Sequence, residues 1–289
     1  MTESRTATAQ KKAGLLNNLI AGISHKVNKA SDSLYKKELG LSLLSVIYLK
    51  HQPKDNVLRK LDLKFGTIWY TSAPDLYHSL VEIFEEKIYL QELKENSYII
   101  DCGANIGLSV LYLKSICPTA TIDAFEPDQS NFALAQKNIT TNKLAGVNLH
   151  QKAVWKEETT LQFVNTGSLS SRLETSPSSG GTVKVEAVRL LAYINKPVDF
   201  LKIDIEGAEY AVVKDIESSL HFVKTFFLEY HGTFAQNDEL LEMLGIVTRA
   251  GFKFYIREAG RVYESPFFRK DDGVVRIYDV QLNIFCFRP

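Results

Sequence analysis

Short β-rich runs of residues alternate with helical segments from residue 97 to near the end of the chain. This rhythm is typical of an α/β domain with a mostly parallel sheet, because parallel strands need helical connections between them. The seven runs cover residues 97–102, 120–125, 147–154, 198–204, 224–230, 252–257 and 281–287. We therefore predict a seven-stranded α/β sheet.

The residues before this domain follow a different pattern. After a polar start, apolar residues recur at helical spacing in residues 11–27 and 34–49. Apolar and polar residues alternate over residues 61–65, and Gly66 separates them from the β-rich "TIWYT", which predicts a hairpin. We divide the chain into a mainly helical extension, residues 1–65, and a domain, residues 66–289, whose core begins near residue 97.

One segment breaks the rhythm of the α/β domain. Residues 166–182, "TGSLSSRLETSPSSGGT", are rich in Ser, Thr and Gly, which is typical of a loop. The loop joins the β-like "TLQFV" to "VKVEAV". This arrangement predicts an antiparallel insertion in the domain.

Composition and charge narrow the class of protein. Apolar residues make up 45% of the 289 residues, enough for a substantial core, and 34 Lys/Arg balance 34 Asp/Glu. The charge is unevenly spread, since residues 1–64 hold 12 Lys/Arg and only 5 Asp/Glu. Two interpretations of this basic region stay open: a solvated helical face, and peripheral docking on an anionic surface such as a membrane.

The cysteines and apolar segments indicate the compartment. Cys102, Cys117 and Cys286 lie far apart, without the spacing of a zinc site, so we expect buried free thiols in a reducing compartment. No secretory signal opens the chain, and its longest apolar segment, residues 39–49, is too short to span a bilayer. We expect a cytoplasmic protein without a membrane span.

Four of the predicted strands finish in or beside a carboxylate. The acids are Asp101, Glu126, Asp204 and Glu229. In open α/β sheets, ligands bind outside the carboxyl ends of the strands, where the strand order reverses. A single such acid is commonly a helix cap, whereas four at one edge predict an electronegative rim around a ligand.

The stretch "YIIDCGANIG" carries the most specific signal. After a short strand, residues 101–107 read D-x-G-x-N-x-G and lead into the helical "LSVLYLKSI". Gly103 permits a tight turn, Gly107 permits close approach of the helix, and the helix start favours an anion. A carboxylate at Asp101 would repel a pyrophosphate and suits a ligand that carries positive charge.

Glu126 indicates a second chemical feature of the ligand. It follows Gly107 by 19 residues, at the tip of the second strand. An acid at that place accepts hydrogen bonds from ribose hydroxyls in this architecture. A ligand with a ribose, positive charge and no phosphate is therefore predicted, and S-adenosylmethionine fits through its ribose, ammonium and sulfonium groups.

Several motifs together resemble the FkbM-type family of S-adenosylmethionine-dependent methyltransferases. In chain order they are "DCGANIG", "AFEPDQSNF", "HQKAV", "LKIDIEGAE", "LEYHG" and "GFKF". The resemblance spans residues 66–287 and implies a Rossmann-like, seven-stranded class I methyltransferase sheet. It also implies O-methyl transfer to a hydroxyl of a sugar or polyketide-type molecule. Residues 1–65 carry no motif that we can assign.

The resemblance also implies roles for individual residues. Asp101, Gly103, Asn105 and Gly107 match the cofactor loop of the family. Glu126 matches its ribose-binding acid. Ala153 falls where the end of the third strand borders the adenine.

The candidate catalytic residues follow the fourth and fifth strands. Methyl transfer is an in-line displacement at the sulfonium methyl, and an acceptor hydroxyl needs a base to remove its proton. His231, beside Glu229, titrates near neutrality and is the first candidate, with a loop-capping histidine as the alternative. Asp204 and Glu206 in "DIEG" are candidates to orient the acceptor or to act as the base.

The same four side chains offer ligands for a divalent metal. A metal-assisted reaction stays open, but the sequence assigns no metal site. Lys202 and Glu229, on neighbouring predicted strands, are an alternative pair, and Glu209 is expected to face solvent or to cap the next helix.

The acceptor and partners are less determined. A hydroxyl of a saccharide, a glycolipid or a related small molecule is the leading acceptor. No nucleic-acid-binding motif is visible, so we expect no nucleic-acid partner, and a homo-oligomer stays open. Two rival functions are a non-catalytic scaffold on a methyltransferase fold and an NAD-dependent oxidoreductase, which would need a phosphate-tolerant G-x-G-x-x-G loop.

Overall fold

A computed structural model of the protein describes residues 39–52, 55–164, 172–173, 182–267 and 276–288. The chain forms two compact units, Met1–Glu86 and Lys87–Pro289. The helix predicted over residues 11–27 and most of the loop predicted over 166–182 lie outside the described residues. The boundary predicted between residues 65 and 66 falls at the turn of a strand pair within the first unit, and the division into domains stays a prediction.

The first unit contains the predicted hairpin. Its elements are α1 (Leu43–His51), β1 (Arg59–Leu63), β2 (Gly66–Tyr70), α2 (Ala73–Leu80) and a π-helical turn (Val81–Glu85). The two strands pair antiparallel, which confirms the hairpin. Ile68, Leu76 and Leu80 are buried and form part of the unit's apolar interior.

The second unit contains the predicted seven-stranded sheet. Its strands are β3 (Tyr98–Cys102), β4 (Thr121–Phe125), β5 (Val147–His150), β10 (Val198–Ile203), β11 (Val223–Gly232), β12 (Lys253–Glu258) and β13 (Val280–Phe287). All five residues of β3 are buried, as expected for a central strand covered on both faces. Each of the seven runs of the sequence pattern contributes one strand to this sheet, with ends shifted by a few residues, although the run over 147–154 contributes only its first half.

The strands follow the order β12-β13-β11-β10-β3-β4-β5. Neighbours from β11 to β5 pair parallel, whereas β13 runs antiparallel between β11 and β12. The chain builds the sheet outward from β3 to β5 and then returns to place β10 on the other side of β3. The carboxyl ends of β3 and β10 thus frame a point where the strand order reverses, and this topology confirms the Rossmann-like α/β fold.

Helices cover the sheet and connect its strands. They are α3 (Leu108–Ile116), α4 (Gln129–Thr141), α5 (Glu209–Asp215) and α6 (Asn237–Arg249), with 3-10 turns at Leu190–Ala192, Glu217–Phe222 and Phe234–Gln236. α4 begins where the Asp128 carboxylate accepts hydrogen bonds from the backbone N–H groups of Ser130 and Asn131. Val212 of α5 and Met243 of α6 lie in the same buried cluster as the sheet residues of one face.

A second, four-stranded sheet contains the predicted insertion. It comprises β6 (Ala153–Trp155), β7 (Thr159–Val164), β8 (Arg172–Leu173) and β9 (Thr182–Arg189), in the order β6-β9-β7-β8. β7 and β9 pair antiparallel, as predicted. The run predicted as one strand over 147–154 is two strands, because the chain leaves the large sheet after His150 and enters the small one at Ala153.

Two further expectations concern cysteines and membranes. Cys102, Cys117 and Cys286 are buried free thiols, as predicted. No helix in the described ranges has both the length and the apolar character to cross a bilayer.

Gly103, in the loop after β3, and Gly245, within α6, provide a matched test of the fold. An added Cβ at Gly103 would lie 1.8 Å from the carbonyl oxygen of Asp204, at a φ of +92°. Gly103→Ala should therefore lower the free energy of unfolding by more than about 2 kcal/mol. At Gly245 the nearest atom is the flexible end of Arg249, so Gly245→Ala should raise it by about 0.4–1 kcal/mol.

Chemical denaturation monitored by circular dichroism measures both changes. Equal effects of the two substitutions would show that the close approach at Gly103 does not constrain the loop.

Candidate active site

The candidate site lies at the carboxyl edge of the sheet, where the strand order reverses. Asp101 is in β3, Glu126 follows β4, Asp204 follows β10 and Glu229 is in β11. The four strands are consecutive neighbours in the sheet, β11-β10-β3-β4. The acids predicted to form one rim are therefore brought to one edge.

The loop after β3 turns sharply at this edge. Gly103, Asn105 and Gly107 all adopt positive φ, at 92°, 50° and 85°. The backbone N–H groups of Gly103 and Ala104 both donate to the carbonyl oxygen of Phe125, at 3.0 and 2.9 Å. These two hydrogen bonds to one carbonyl oxygen hold the loop against the end of β4. Gly107 is the N-cap residue of α3.

Glu126 joins this loop to the loop after β4. Its Oε2 accepts a hydrogen bond from the backbone N–H of Asn105 at 2.8 Å, and its Oε1 accepts one from Asp128 at 2.9 Å. Burial raises the pKa of Glu126 to about 7, although these two N–H groups favour the ionised form. The carboxylate is thus held at the loop, with lone pairs left over for ligand hydroxyls.

Asp101 is fully buried, with protein groups on both of its oxygens. Its Oδ2 accepts a hydrogen bond from the Ser109 hydroxyl at 2.5 Å, and its Oδ1 lies 3.3 Å from Lys202 Nζ. Lys202 also lies 3.2 Å from Asp204 Oδ2 and donates to the carbonyl oxygen of Gly103 at 2.7 Å. One buried ammonium therefore ties β3, the loop after it and the loop after β10 together.

This network changes two of the sequence-based interpretations. The sequence suggests Glu229 as an alternative partner of Lys202, but the ion pairs of Lys202 are with Asp101 and Asp204. Asp101 was reasoned to repel phosphate and attract a cation, yet Lys202 compensates its charge. Burial alone would lower the pKa of Lys202, but the two aspartates outweigh it and hold that pKa well above its ordinary value. In the structure, Asp101 helps to hold the loop in place. Its predicted contact with a cofactor stays a prediction.

The four candidate catalytic side chains form one cluster. His231 Nε2 lies 3.6 Å from Glu229 Oε1 and 3.9 Å from Glu206 Oε2. One possible ligand atom each from Asp204, Glu206 and His231 lies within 4.8 Å of the others. The imidazole is 4% exposed, whereas the Glu206 side chain is 28% exposed and reaches the rim.

The charges in this cluster bear on the choice of base. Burial alone would lower the pKa of His231, but Glu209, Glu229 and Glu206 hold it well above its ordinary value. A protonated imidazole donates rather than accepts, which weakens His231 as the base in this arrangement. Burial raises the pKa of Glu206 to about 7, against the opposing charge of His231, so this carboxylate titrates where a general base is effective. The catalytic roles of all four residues stay predictions.

Glu209 is a functional candidate whose place the sequence did not reveal. It was expected to face solvent or cap a helix, but its side chain is 1% exposed, and Oε1 lies 3.3 Å from His231 Nδ1. It also accepts hydrogen bonds from the N–H groups of Ile205 and Gly207, just before α5. Tyr278 is a second functional candidate that the sequence did not reveal, since its hydroxyl donates to the Glu206 carbonyl oxygen at 2.8 Å.

Ala153 belongs to the small sheet, whereas the acids just described lie at the edge of the large one. It is buried at the start of β6 and pairs with Ala187 of β9 in the small sheet. Its predicted place beside the adenine stays a prediction.

Lys202 allows a direct test of the network. Lys202→Met removes the cation but keeps most of the side-chain volume, which leaves the buried Asp101 carboxylate uncompensated. The free energy of unfolding should fall by about 3–5 kcal/mol. Lys214→Met is the matched control, because Lys214 forms its ion pair with Glu242 at the exposed surface and should change stability little.

Denaturant unfolding at pH 7 measures the difference between the two variants. Similar small effects would show that the buried ammonium does not carry the charge balance of the loop.

Comparison with known proteins agrees with these features. The sequence matches the methyltransferase FkbM domain over residues 101–254. Methyltransferase 1 of Beauveria bassiana (strain ARSEF 2860) is 29% identical over 194 residues, with coverages of 57% of this chain and 78% of that protein. The 31-O-demethyl-FK506 methyltransferase FkbM of Streptomyces tacrolimicus is 25% identical over 202 residues, with coverages of 57% and 78%. A crystal structure of methyltransferase FkbM from Methylobacillus flagellatus KT is 17% identical, covering 73% of this chain and 54% of that chain with a TM-score of 0.45.

Because the domain match covers more than half of the 289 residues, the chain belongs to the FkbM family of methyltransferases.

Proposed function

We propose that this methyltransferase uses S-adenosylmethionine to methylate a hydroxyl of a saccharide, a glycolipid or a related small molecule. The observation that carries the proposal is the hydrogen bond of 2.8 Å from the Asn105 N–H to Glu126 Oε2. It joins the glycine-containing loop and the acid after β4 into one continuous surface at the point where the strand order reverses. A nucleoside with its sugar on Glu126 fits such a surface.

The loop also suits the methionine end of the cofactor. Gly103 and Gly107 keep side-chain bulk away from its backbone, and Gly107 is the N-cap residue of α3. A helix start favours the carboxylate of an amino acid. The acids after β10 and in β11 are suited to the positive sulfonium and ammonium groups.

In the proposed reaction the acceptor oxygen attacks the sulfonium methyl group in line with the carbon–sulfur bond. A carbon–oxygen bond forms as the carbon–sulfur bond breaks, and the products are a methyl ether, S-adenosylhomocysteine and a proton. Glu206 is the candidate to receive that proton, because burial brings its pKa to about 7. Asp204 and Glu229 are candidates to orient the acceptor through its hydroxyl groups.

Two considerations support a hydroxyl acceptor. The name of the Streptomyces tacrolimicus relative describes methylation of an oxygen of FK506, a reaction of that protein. In the present chain, carboxylates at the rim accept hydrogen bonds from hydroxyl groups, which a saccharide supplies in number. Incubation with labelled S-adenosylmethionine and fractionated glycans, lipids and small molecules tests this choice. Label found only in protein or nucleic acid would contradict it.

Cofactor identity is tested by calorimetry. S-adenosylhomocysteine should bind to the full chain with measurable heat, and NAD should bind far more weakly, because the loop lacks a G-x-G-x-x-G pyrophosphate site. Comparable or tighter binding of NAD would overturn the assignment.

Glu126 should control cofactor affinity and its pH dependence. Glu126→Ala removes charge-assisted hydrogen bonds worth about 1.5–3 kcal/mol, so the Kd for S-adenosylhomocysteine should rise at least about tenfold. The pKa of about 7 means that protons compete with the ribose as the pH falls, so wild-type affinity should weaken about tenfold from pH 8 to pH 6.

The control for the pH effect is the same variant. Glu126→Ala should retain its fold by circular dichroism and lose most of this pH dependence. An unchanged Kd in the variant would place the ribose elsewhere.

A further inference from the structure

His231 points one ring nitrogen into a group of carboxylates without forming a hydrogen bond there. Its side chain is 4% exposed, and Nε2 lies 3.6 Å from Glu229 Oε1 and 3.9 Å from Glu206 Oε2. Both distances exceed the usual length of an N–H···O hydrogen bond, about 2.7–3.2 Å. Within the described part of the chain, the hydrogen bond of this ring is made by Nδ1.

The same distances suit ligands of one ion. Around a cation with bonds of about 2.1 Å, neighbouring ligand atoms lie about 3–4.3 Å apart. The two distances from Nε2 fall in this range. Ligand atoms of Asp204, Glu206 and His231 also lie within 4.8 Å of one another, so one ion can reach all three after small side-chain adjustments.

Glu209 supplies an observation that is independent of the acids at the rim. It holds Nδ1 of His231 at 3.3 Å, and it is itself fixed by the N–H groups of Ile205 and Gly207. A histidine that binds a metal usually donates its other ring N–H to a carboxylate, which fixes the ring and makes the free nitrogen a better ligand. Glu209 therefore leaves Nε2 as the ligand atom that faces Glu206 and Glu229.

The balance of charge favours a cation at the same place. Asp204, Glu206, Glu209 and Glu229 surround His231, and the nearest buried lysine, Lys202, is already shared between Asp101 and Asp204. Buried charges in proteins are paired or coordinate metals. A divalent ion would compensate the remaining carboxylates and would bind the imidazole in its neutral form.

We propose that Asp204, Glu206 and His231 bind a divalent first-row cation such as Mn²⁺, with Glu209 as the residue that orients His231 and Glu229 as a neighbouring carboxylate that adds negative charge. Two carboxylates and one imidazole suit Mn²⁺, which accepts both kinds of ligand. The assignment rests on the proposed function in one respect: a hydroxyl acceptor bound to the ion would lose its proton more easily, which serves methyl transfer to oxygen, and Glu206 would then act as a ligand in place of the base.

Mn²⁺ itself is the probe, measured by electron paramagnetic resonance on the full chain after treatment with a chelator. The signal of free Mn²⁺ should fall with a stoichiometry of one ion per chain. Pulsed measurements should show a nitrogen coupling from the imidazole. Glu206→Gln and His231→Asn should each weaken Mn²⁺ binding at least tenfold, and His231→Asn should also remove the nitrogen coupling.

His221→Asn is the matched control, because His221 is an exposed histidine outside the cluster. It should leave both the affinity and the nitrogen coupling unchanged. Thermal unfolding of each variant separates loss of binding from loss of fold, and the partly exposed Glu206 provides a variant that should fold normally.

Three results would overturn the metal site: no binding of Mn²⁺ at millimolar concentration, binding without nitrogen coupling, or binding that survives both substitutions. Binding of S-adenosylhomocysteine in the presence of chelator is measured separately by calorimetry. If that binding is normal while Mn²⁺ does not bind, the metal site fails and the proposed methyl transfer stands. If the cofactor product does not bind at all, the proposed function fails.

Discussion

The buried ammonium of Lys202 is the interaction on which the site depends. It lies between Asp101 and Asp204 and donates to the Gly103 carbonyl oxygen, so it contacts the central strand and both loops that frame the crevice. A buried carboxylate without such a partner would be strongly destabilising. The cation allows a charged strand end to exist inside the sheet, and it keeps the loop close to the chain after β10.

The sequence predicted the sheet well because its signal is local and repeated. Each central strand is a short apolar run bounded by turns, and the acid that ends it lies at a known edge. The exception is the run over 147–154, where the chain changes sheets between His150 and Ala153. A change of sheet depends on long-range pairing with β9, which local apolar character does not encode.

Four clustered members of the candidate site were predictable from the sequence, whereas Glu209, Tyr278 and the pairing of the charges were not. Asp204, Glu206, Glu229 and His231 do come together, since each follows or ends a neighbouring strand. Which charge faces which could not be inferred from spacing, so Lys202 was given the wrong partner. A lysine among the apolar residues Phe200, Leu201 and Ile203 of a central strand was the available signal that a buried carboxylate needed compensation.

Two levels of charge compensation can be distinguished at this edge of the sheet. Lys202 compensates the fully buried Asp101 and also pairs with Asp204, which lies between the inner network and the outer acids. The outer acids around His231 have no comparable buried lysine among their ion pairs, and the imidazole itself is fixed from behind by Glu209. The carboxylates gathered around this imidazole repel one another, and either the protonated imidazole or a bound cation compensates that repulsion. The inner network therefore explains how the domain folds, and the outer one indicates where a positively charged ligand completes it.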